Sequence, residues 1–281
     1  MTSIAEAGVY DIDADTYHAD PVPGGSLSSS GARKLLPPSC PAKFAYEREH
    51  GGERRSEFDI GTAAHKLVLG VGPKLERIDA KDWRTKKAQD KRDEAYEHGA
   101  VPLLTAEYEQ VHAMADVLHR DDLARVLLDP DHGRPEQAIF WQDTETEVWR
   151  RALIDWLPTG GYGPPTIVDY KTTTSADLGA IRSSVLRYGY HQQAAWYLDA
   201  VDSVGYPDDT AFKFIFQEKT PPYLVTVVEL DQPALRVGWL RNRRAIEIYR
   251  DCTAAGIWPG HATDIEVISL PPWAERAEEY A

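Results

Sequence analysis

The sequence has 281 residues, 42% of them hydrophobic, and a formal net charge of −14. This composition is that of a globular protein with a sizeable core, and its acidity excludes a surface that is basic overall. No apolar run approaches the roughly 20 residues needed to span a bilayer, and no secretory pattern opens the sequence, so we expect a cytoplasmic protein without membrane contact. Two cysteines, Cys40 and Cys252, exclude a disulfide framework or a four-cysteine metal site within one chain.

The N-terminal part predicts an arm followed by helices. Residues 1–25 are interrupted by proline and glycine and predict an extended arm. The serine-rich run 26–30 predicts a capped helix start, and a second helix begins at Pro41. Residues 58–69 predict an apolar helix that contains His65. A lone histidine in such a helix is more often a packed core residue than a ligand.

Two more helices are predicted over residues 82–99 and 105–119. The first is strongly charged, because positions 81–92 contain six basic and two acidic side chains. This local surplus is either a solvated helix face or a surface for an anionic partner.

The pattern then changes to strands, which are predicted over residues 137–142 and 148–157. Asp155 lies near the end of the second strand. The loop over residues 158–165 is rich in glycine and proline, so it can return the chain beside the strand that it has just left.

Residues 166–173 are rich in β-branched side chains and predict a buried strand. Since strand side chains alternate, Asp169 and Lys171 should project from the same face. If the preceding loop brings Asp155 to Asp169, two carboxylates converge beside a lysine. That arrangement predicts a divalent-metal site with a built-in cation.

A helix predicted over residues 176–201 follows, and it places Gln193 and Tyr197 four residues apart on one face. A strand hairpin over 211–230 and a long helix over 234–252 complete the predicted elements.

Taken in order, these motifs resemble the PD-(D/E)XK nuclease superfamily, and within it the RecB-like branch. A glutamine followed four residues later by tyrosine is characteristic of that branch. The positions that match the branch are, in chain order, the serine-rich helix start, Gly61 to His65, Asp155, Asp169 to Lys171, and Gln193 to Tyr197. Within the branch, Tyr17-His18 and residues 82–86 and 190–197 are most similar to the phage-type RecE (exonuclease VIII) nuclease domain.

The resemblance implies an α/β fold of the restriction-endonuclease-like type, with a mixed central sheet flanked by helices and an N-terminal helical region. We expect one nuclease domain over residues 1–281. Its parts would be an N-terminal arm and helices (1–57), a nuclease core (58–260) and a C-terminal tail (261–281).

The resemblance also implies a role for each site residue. Mg²⁺ is the expected metal, with Mn²⁺ able to substitute, because the ligands are rich in oxygen and lack thiolates. Lys171 would orient the attacking water, and either Glu136 or Glu147 would reach the site. The expected catalytic residues are Asp155, Asp169, Lys171, Gln193 and Tyr197, and the expected metal ligands are His65, Glu136, Asp155, Asp169 and the backbone carbonyl of Tyr170.

The implied activity is exonuclease digestion of linear duplex DNA from 5′ ends, which leaves 3′ single strands for an annealing partner of the RecT type. A homo-oligomer is implied as well. Three alternatives remain open: a catalytically silent or partner-delivered DNA-binding module of the same fold, an endonuclease of the RecB-like branch, and an iron–sulfur nuclease, which would need four cysteines. The expected DNA contacts are Arg33, Lys81, Arg84, Lys86, Lys87 and Lys91.

Overall fold

The computed structural model describes residues 3–51, 57–161 and 163–274. The end of the predicted tail, residues 275–281, lies outside these ranges. The strands are β1 (Gly8–Tyr10), β2 (Leu27–Ser28), β3 (Leu75–Ile78), β4 (Val101–Leu104), β5 (Gly133–Gln142), β6 (Trp149–Pro158), β7 (Thr166–Thr173), β8 (Ala211–Glu218) and β9 (Val225–Glu229). The helices are α1 (Ala14–His18), α2 (Ser29–Lys34), α3 (Pro41–His50), α4 (Glu57–Leu69), α5 (Lys86–Glu97), α6 (Thr105–Leu118), α7 (Asp122–Leu127), α8 (Leu178–Tyr188), α9 (Tyr190–Ser203) and α10 (Gln232–Ala255).

The described residues form a main sheet with the strand order β1-β5-β6-β7-β8-β9, and β2 pairs with β6 beside this path. Pairing is antiparallel except between β7 and β8 and between β2 and β6. Among the described residues, β6 and β7 pair in the sheet only at Trp156 and Val168, whereas β2 pairs with β6 at Arg150 and Arg151. The two strands β6 and β7 therefore diverge, and an opening lies between them.

The parallel pair β7 and β8 requires a crossover, which α8 and α9 provide. Side chains of β8 alternate between the two faces of the sheet. Phe212, Phe214 and Phe216 join a core cluster with α9 and α10, whereas Ile215 joins another with α4 and α6. Helices thus cover both faces, which confirms the predicted mixed α/β class. No helix among the described residues is long and apolar enough to cross a membrane.

Two sequence predictions were wrong at the level of elements. The N-terminal arm is not simply extended, because it contains β1 and α1. The helix predicted over 176–201 is two helices, α8 and α9, which meet at Gly189. This glycine has a φ of 67°, in the left-handed region that ends helices.

A buried cation ties β6 to the helices. The side chain of Arg150 is only 4% exposed, and its guanidinium lies 4.6 Å and 4.1 Å from the ring centroids of Trp141 and Trp196. It pairs with Asp199 at 2.9 Å and with Asp143 at 3.7 Å. A charge so deeply buried must be paired to be tolerated, so both carboxylates stabilise this part of the core.

Asp143 is expected to make the fold sensitive to acid. Burial alone would raise the pKa of Asp143, but hydrogen bonds from Arg243 and Thr146 outweigh it and lower the pKa from 3.8 to about 2. Since the folded-state pKa lies below the unfolded value, this stabilisation is complete above about pH 4 and is lost as the pH falls through 2. The difference corresponds to about 2 kcal/mol. Urea unfolding of the wild type and Asp143→Asn between pH 6 and pH 2 measures it; equal acid losses in both proteins would contradict it.

Candidate functional site

The opening between β6 and β7 holds two aspartates. Asp155 directly precedes Trp156, and Asp169 directly follows its partner Val168, so both stand where the strands begin to separate. The backbone N–H of Tyr170 donates to Oδ2 of Asp155 over 3.0 Å. The structure therefore brings together the two carboxylates that the sequence places fourteen positions apart.

Asp169 connects β7 to α9. Its side chain is fully buried, and its Oδ1 accepts a hydrogen bond of 2.7 Å from Nε2 of Gln193. The ammonium group of Lys171 forms an ion pair with Oδ2 of Asp169 and lies 5.3 Å from the ring centroid of Tyr190. Alternation along β7 thus places Asp169 and Lys171 on one face, and α9 supplies the amide that orients the carboxylate.

His65 reaches the same cluster from α4. Its Nε2 lies 2.9 Å from Oδ2 of Asp155, and its Nδ1 lies 3.5 Å from Oε1 of Glu136. Glu136 has a φ of 48°, a left-handed conformation that is uncommon for a non-glycine residue and often occurs at functional sites. Glu147 is exposed in the turn between β5 and β6. Of the two candidate glutamates, the structure places Glu136 beside His65, which contacts Asp155.

Tyr197, like Asp169, is buried in the core, and its ring lies 6.0 Å from that of Phe212. Burial raises the pKa of Tyr197 well above its usual range, and a hydrogen bond with Gln193 partly opposes this. Tyr197 thus contacts the side chain whose amide donates to Asp169, and its role in the site stays a prediction.

The charges of the cluster are strongly coupled. Burial, and then the charge of Asp155, raise the pKa of Asp169 to about 6. Burial also acts to raise the pKa of Asp155, but His65 and Lys171 outweigh it and lower that pKa. For His65, burial opposes the charge, yet Asp155 and Glu136 raise the pKa to about 10. The carboxylates thus favour the charged forms of the side chains that face them, His65 and Lys171.

A hard divalent cation fits this chemistry. Oδ2 of Asp169 is buried and accepts no hydrogen bond of regular geometry from the described residues, although Lys171 lies against it. Within the described ranges, no three His, Cys, Asp or Glu side chains surround a common metal position. The donors that could hold a metal are the predicted set, His65, Glu136, Asp155, Asp169 and the Tyr170 carbonyl, whose role as ligands stays a prediction.

A cleft with a volume of about 710 Å³ opens over this cluster. His65, Glu136, Tyr170 and Lys171 line its floor. Its walls contain side chains to which the sequence motifs assigned no role, and most of these are basic, hydroxylated or aromatic. They include Lys66, Lys219, Thr172, Thr173, Thr174, Ser184, Tyr188 and Tyr190.

The predicted DNA contacts are placed differently from one another. Arg33 lies near the cluster, and its Nη1 donates to the backbone carbonyl of Tyr188. The other predicted contacts lie in the exposed segment that leads into α5 and on α5 itself, and Lys86 pairs with Asp90 there at 2.9 Å. These five predicted contacts are Lys81, Arg84, Lys86, Lys87 and Lys91. None of them lines the cleft, and their role in binding DNA stays a prediction.

Diverging strands that carry paired aspartates, followed by a lysine on the second strand, define a PD-(D/E)XK-like domain. A family model confirms this assignment: residues 28–271 match the family described as a PDDEXK-like domain of unknown function (DUF3799). The chain belongs to this family. Among proteins of curated function, none matches the sequence significantly.

A solved structure supports the fold. A crystal structure from Eubacterium rectale, of a protein provisionally named as an exonuclease, is similar with a TM-score of 0.60 and 12% sequence identity. The similarity covers 93% of this chain and 96% of that chain. The structure of SSO0001 has a TM-score of 0.30 and 14% identity, over 72% of this chain and 86% of that chain. A TM-score this low does not establish a shared fold.

Proposed function

We propose that this chain is a metal-dependent nuclease that hydrolyses phosphodiester bonds of DNA. The observation that carries the proposal is the convergence of Asp155, Asp169 and Lys171 beside a cleft that Lys171, His65 and Glu136 line. Membership of a PDDEXK-like family supports it, as does the likeness in fold to a protein provisionally named as an exonuclease.

The residues would divide the work of hydrolysis. A bound divalent cation would supply Lewis-acid stabilisation of the phosphate and an activated water. Asp155 and Asp169 would hold that cation, while Gln193 fixes the Asp169 carboxylate through its other oxygen. The ammonium of Lys171 would stabilise negative charge as it develops on the phosphate, which is an effect typically worth several kcal/mol.

We extend the proposal to the substrate on the basis of the resemblance to RecE-like nuclease domains. The substrate would be the end of linear duplex DNA, digested from 5′ to 3′ with Mg²⁺, or with Mn²⁺ in its place. The remaining 3′ strand would pass to a single-strand annealing protein of the RecT type in the cytoplasm. A homo-oligomer would help an acidic protein to retain DNA, since a net charge of −14 gives no long-range attraction.

Digestion of end-labelled linear duplex, with and without a 5′ phosphate, tests this function in Mg²⁺, in Mn²⁺ and in EDTA. We expect stepwise release of nucleotides that requires metal and that leaves closed circular duplex intact. Cleavage of the circle would instead indicate an endonuclease. Binding of DNA without cleavage in either metal would indicate a catalytically silent module.

His65 is expected to act as a metal ligand. His65→Gln should raise the Mg²⁺ or Mn²⁺ concentration needed for half-maximal cleavage by about tenfold or more, because an imidazole beside Asp155 and Glu136 is lost from the site. The Tm should change little, since the side chain is partly exposed at the cleft.

A matched control for His65 is His132→Gln. His132 also contacts a carboxylate, with Nδ1 3.2 Å from Asp129, but it lies outside the cleft. Its substitution should leave the metal requirement unchanged. If His65→Gln instead lowers the Tm strongly at an unchanged metal requirement, His65 is a packing residue.

A further inference from the structure

Two tyrosines form an aromatic ledge on the wall of the cleft. Tyr188 ends α8 and Tyr190 begins α9, and both line the cleft. Their ring centroids are 5.7 Å apart with an interplanar angle of 36°. Tyr188 is 49% exposed, which is a large apolar surface to leave facing water beside a polar site. The nuclease mechanism proposed above gives Tyr188 no role.

The ledge is held rigidly. Gly189 between the two tyrosines has a φ of 67°, and a Cβ at this position would lie 2.7 Å from Cδ of Arg33. The Arg33 guanidinium donates to the carbonyl of Tyr188, so the same side chain also holds the turn by a hydrogen bond. Tyr190 packs on Phe214 and Phe216, with centroid distances of 5.6 Å and 5.9 Å. A partner that stacks on the ledge would therefore meet a surface that is already ordered.

The ledge also lies next to the reacting groups. The Tyr190 ring is 5.3 Å from the ammonium of Lys171, and Tyr188 is the next ring outward along the cleft wall. Basic side chains accompany the aromatic ones: Lys66 and Lys219 line the same cleft, and the Arg187 guanidinium lies 5.6 Å from the Tyr188 ring centroid. Cations that track a phosphate backbone, together with exposed aromatic rings, are the combination that binds single-stranded nucleic acid.

The cleft connects the ledge with the site. It has a volume of about 710 Å³ and is lined by Lys171 as well as by Tyr188 and Tyr190. A strand bound along the cleft therefore passes both the aromatic rings and the lysine that pairs with Asp169.

We propose that the cleft binds one DNA strand in unpaired form, and that Tyr188 stacks on a base displaced from the duplex end. Tyr190 lies between Tyr188 and the Lys171 ammonium. It therefore fixes the spacing between the stacked base and the phosphate to be cleaved. Arg33 is then a positioning residue for the ledge. This inference rests on the proposed nuclease function, because it names how the substrate of that same site is recognised.

Binding can be measured separately from cleavage with a single-stranded oligonucleotide that carries one 2-aminopurine. Ca²⁺ serves as the cation, and a gel confirms that the strand stays intact. We expect quenching of the 2-aminopurine fluorescence by the wild type and by Tyr188→Phe, which keeps the ring. Tyr188→Ala and Tyr188→Leu should bind about tenfold more weakly and lose the quenching, because stacking on one base is removed.

A control and a kinetic arm complete the test. Tyr46 is another exposed tyrosine, stacked on His50 outside the cleft, and Tyr46→Ala should bind like the wild type. In Mg²⁺, the loss of kcat/KM in Tyr188→Ala should be larger on a fully paired end than on an end with mismatched terminal bases. Stacking on Tyr188 offsets the free-energy cost of unpairing the terminal bases. Mismatched terminal bases are already unpaired, so this contribution matters less for them.

The outcomes are distinguishable. Unchanged binding and quenching in Tyr188→Ala, or a Tyr188→Leu variant that performs as well as Tyr188→Phe, would overturn the stacking role. Equal kinetic losses on paired and mismatched ends would also overturn it. Ring-dependent quenching without cleavage of any DNA in Mg²⁺ or Mn²⁺ would support stacking and defeat the proposed nuclease function instead.

Discussion

Replacement of Lys171 with alanine is expected to lower kcat/KM for metal-dependent DNA cleavage by about 10²–10³-fold. Lys171 is the one cation that contacts Asp169 and also lines the cleft among the described residues of this cluster. Its loss removes the ammonium that stabilises charge on the phosphate. It also removes a cation that opposes the upward shift in the pKa of Asp169, which is already about 6.

Two measurements separate this role from a structural one. The Tm of Lys171→Ala should remain near that of the wild type, because the lysine side chain reaches the solvent of the cleft. Lys219→Ala is the matched control, since Lys219 lines the same cleft away from the aspartates. It should weaken DNA binding while it leaves the maximal rate largely intact. If Lys171→Ala keeps a tenth or more of the wild-type activity, a loss of about 1.4 kcal/mol or less, the catalytic role is wrong.

The centre of the site was predictable because it depends on local patterns. A run of β-branched residues predicted β7, and alternation along a strand placed Asp169 and Lys171 on one face. A helix with residues four apart aligned Gln193 and Tyr197. Each of these inferences needs only a few consecutive residues, and the structure shows the corresponding contacts between Lys171, Gln193 and Asp169.

The features that the sequence did not reveal depend on contacts between distant segments. β2 has only two residues, Leu27 and Ser28, which is too short for a strand pattern in the sequence. The sequence therefore does not predict that β2 pairs with β6 and that β7 diverges from it. The break at Gly189 is fixed by Arg33, which is 155 positions from Tyr188. Without that contact, the segment matches one continuous helix, and the two tyrosines beside Gly189 look like ordinary helix residues.

The density of basic residues along the sequence also did not predict which of them line the cleft. The six basic residues between positions 81 and 92 stood out because they are close in sequence. The basic residues that line the cleft, Lys66, Lys171 and Lys219, come from three separate elements or their ends. The electrostatic potential at a site depends on where charges lie in space, not on their spacing in the sequence. Cations that come from distant segments are therefore not detected as a local run of basic residues.

The contact between α9 and α10 leads to a prediction about stability. Gly238 on α10 lies against the backbone of α9, and a Cβ there would be 2.1 Å from the carbonyl oxygen of His191. Beside it, Nε2 of Gln192 donates to Asn242 over 3.1 Å, and the Asn242 amide donates to the Gln192 carbonyl over 2.9 Å. A methyl group at position 238 must push the helices apart and strain both hydrogen bonds.

Gly238→Ala is therefore expected to destabilise the protein by about 3 kcal/mol, although alanine is favoured over glycine inside an ordinary helix by about 1 kcal/mol. The Tm should fall by roughly 5–10 °C. Gly61→Ala in α4 is the matched control, because the nearest atom to its added Cβ is Oγ1 of Thr172 at 3.6 Å, an ordinary contact. That variant should be as stable as the wild type or slightly more so. Thermal unfolding of both variants decides the matter, and a rise in Tm for Gly238→Ala would show that α9 and α10 are not packed as closely as described.

Since α9 also carries Gln193, which holds Asp169, Gly238→Ala should reduce nuclease activity even at temperatures where it stays folded.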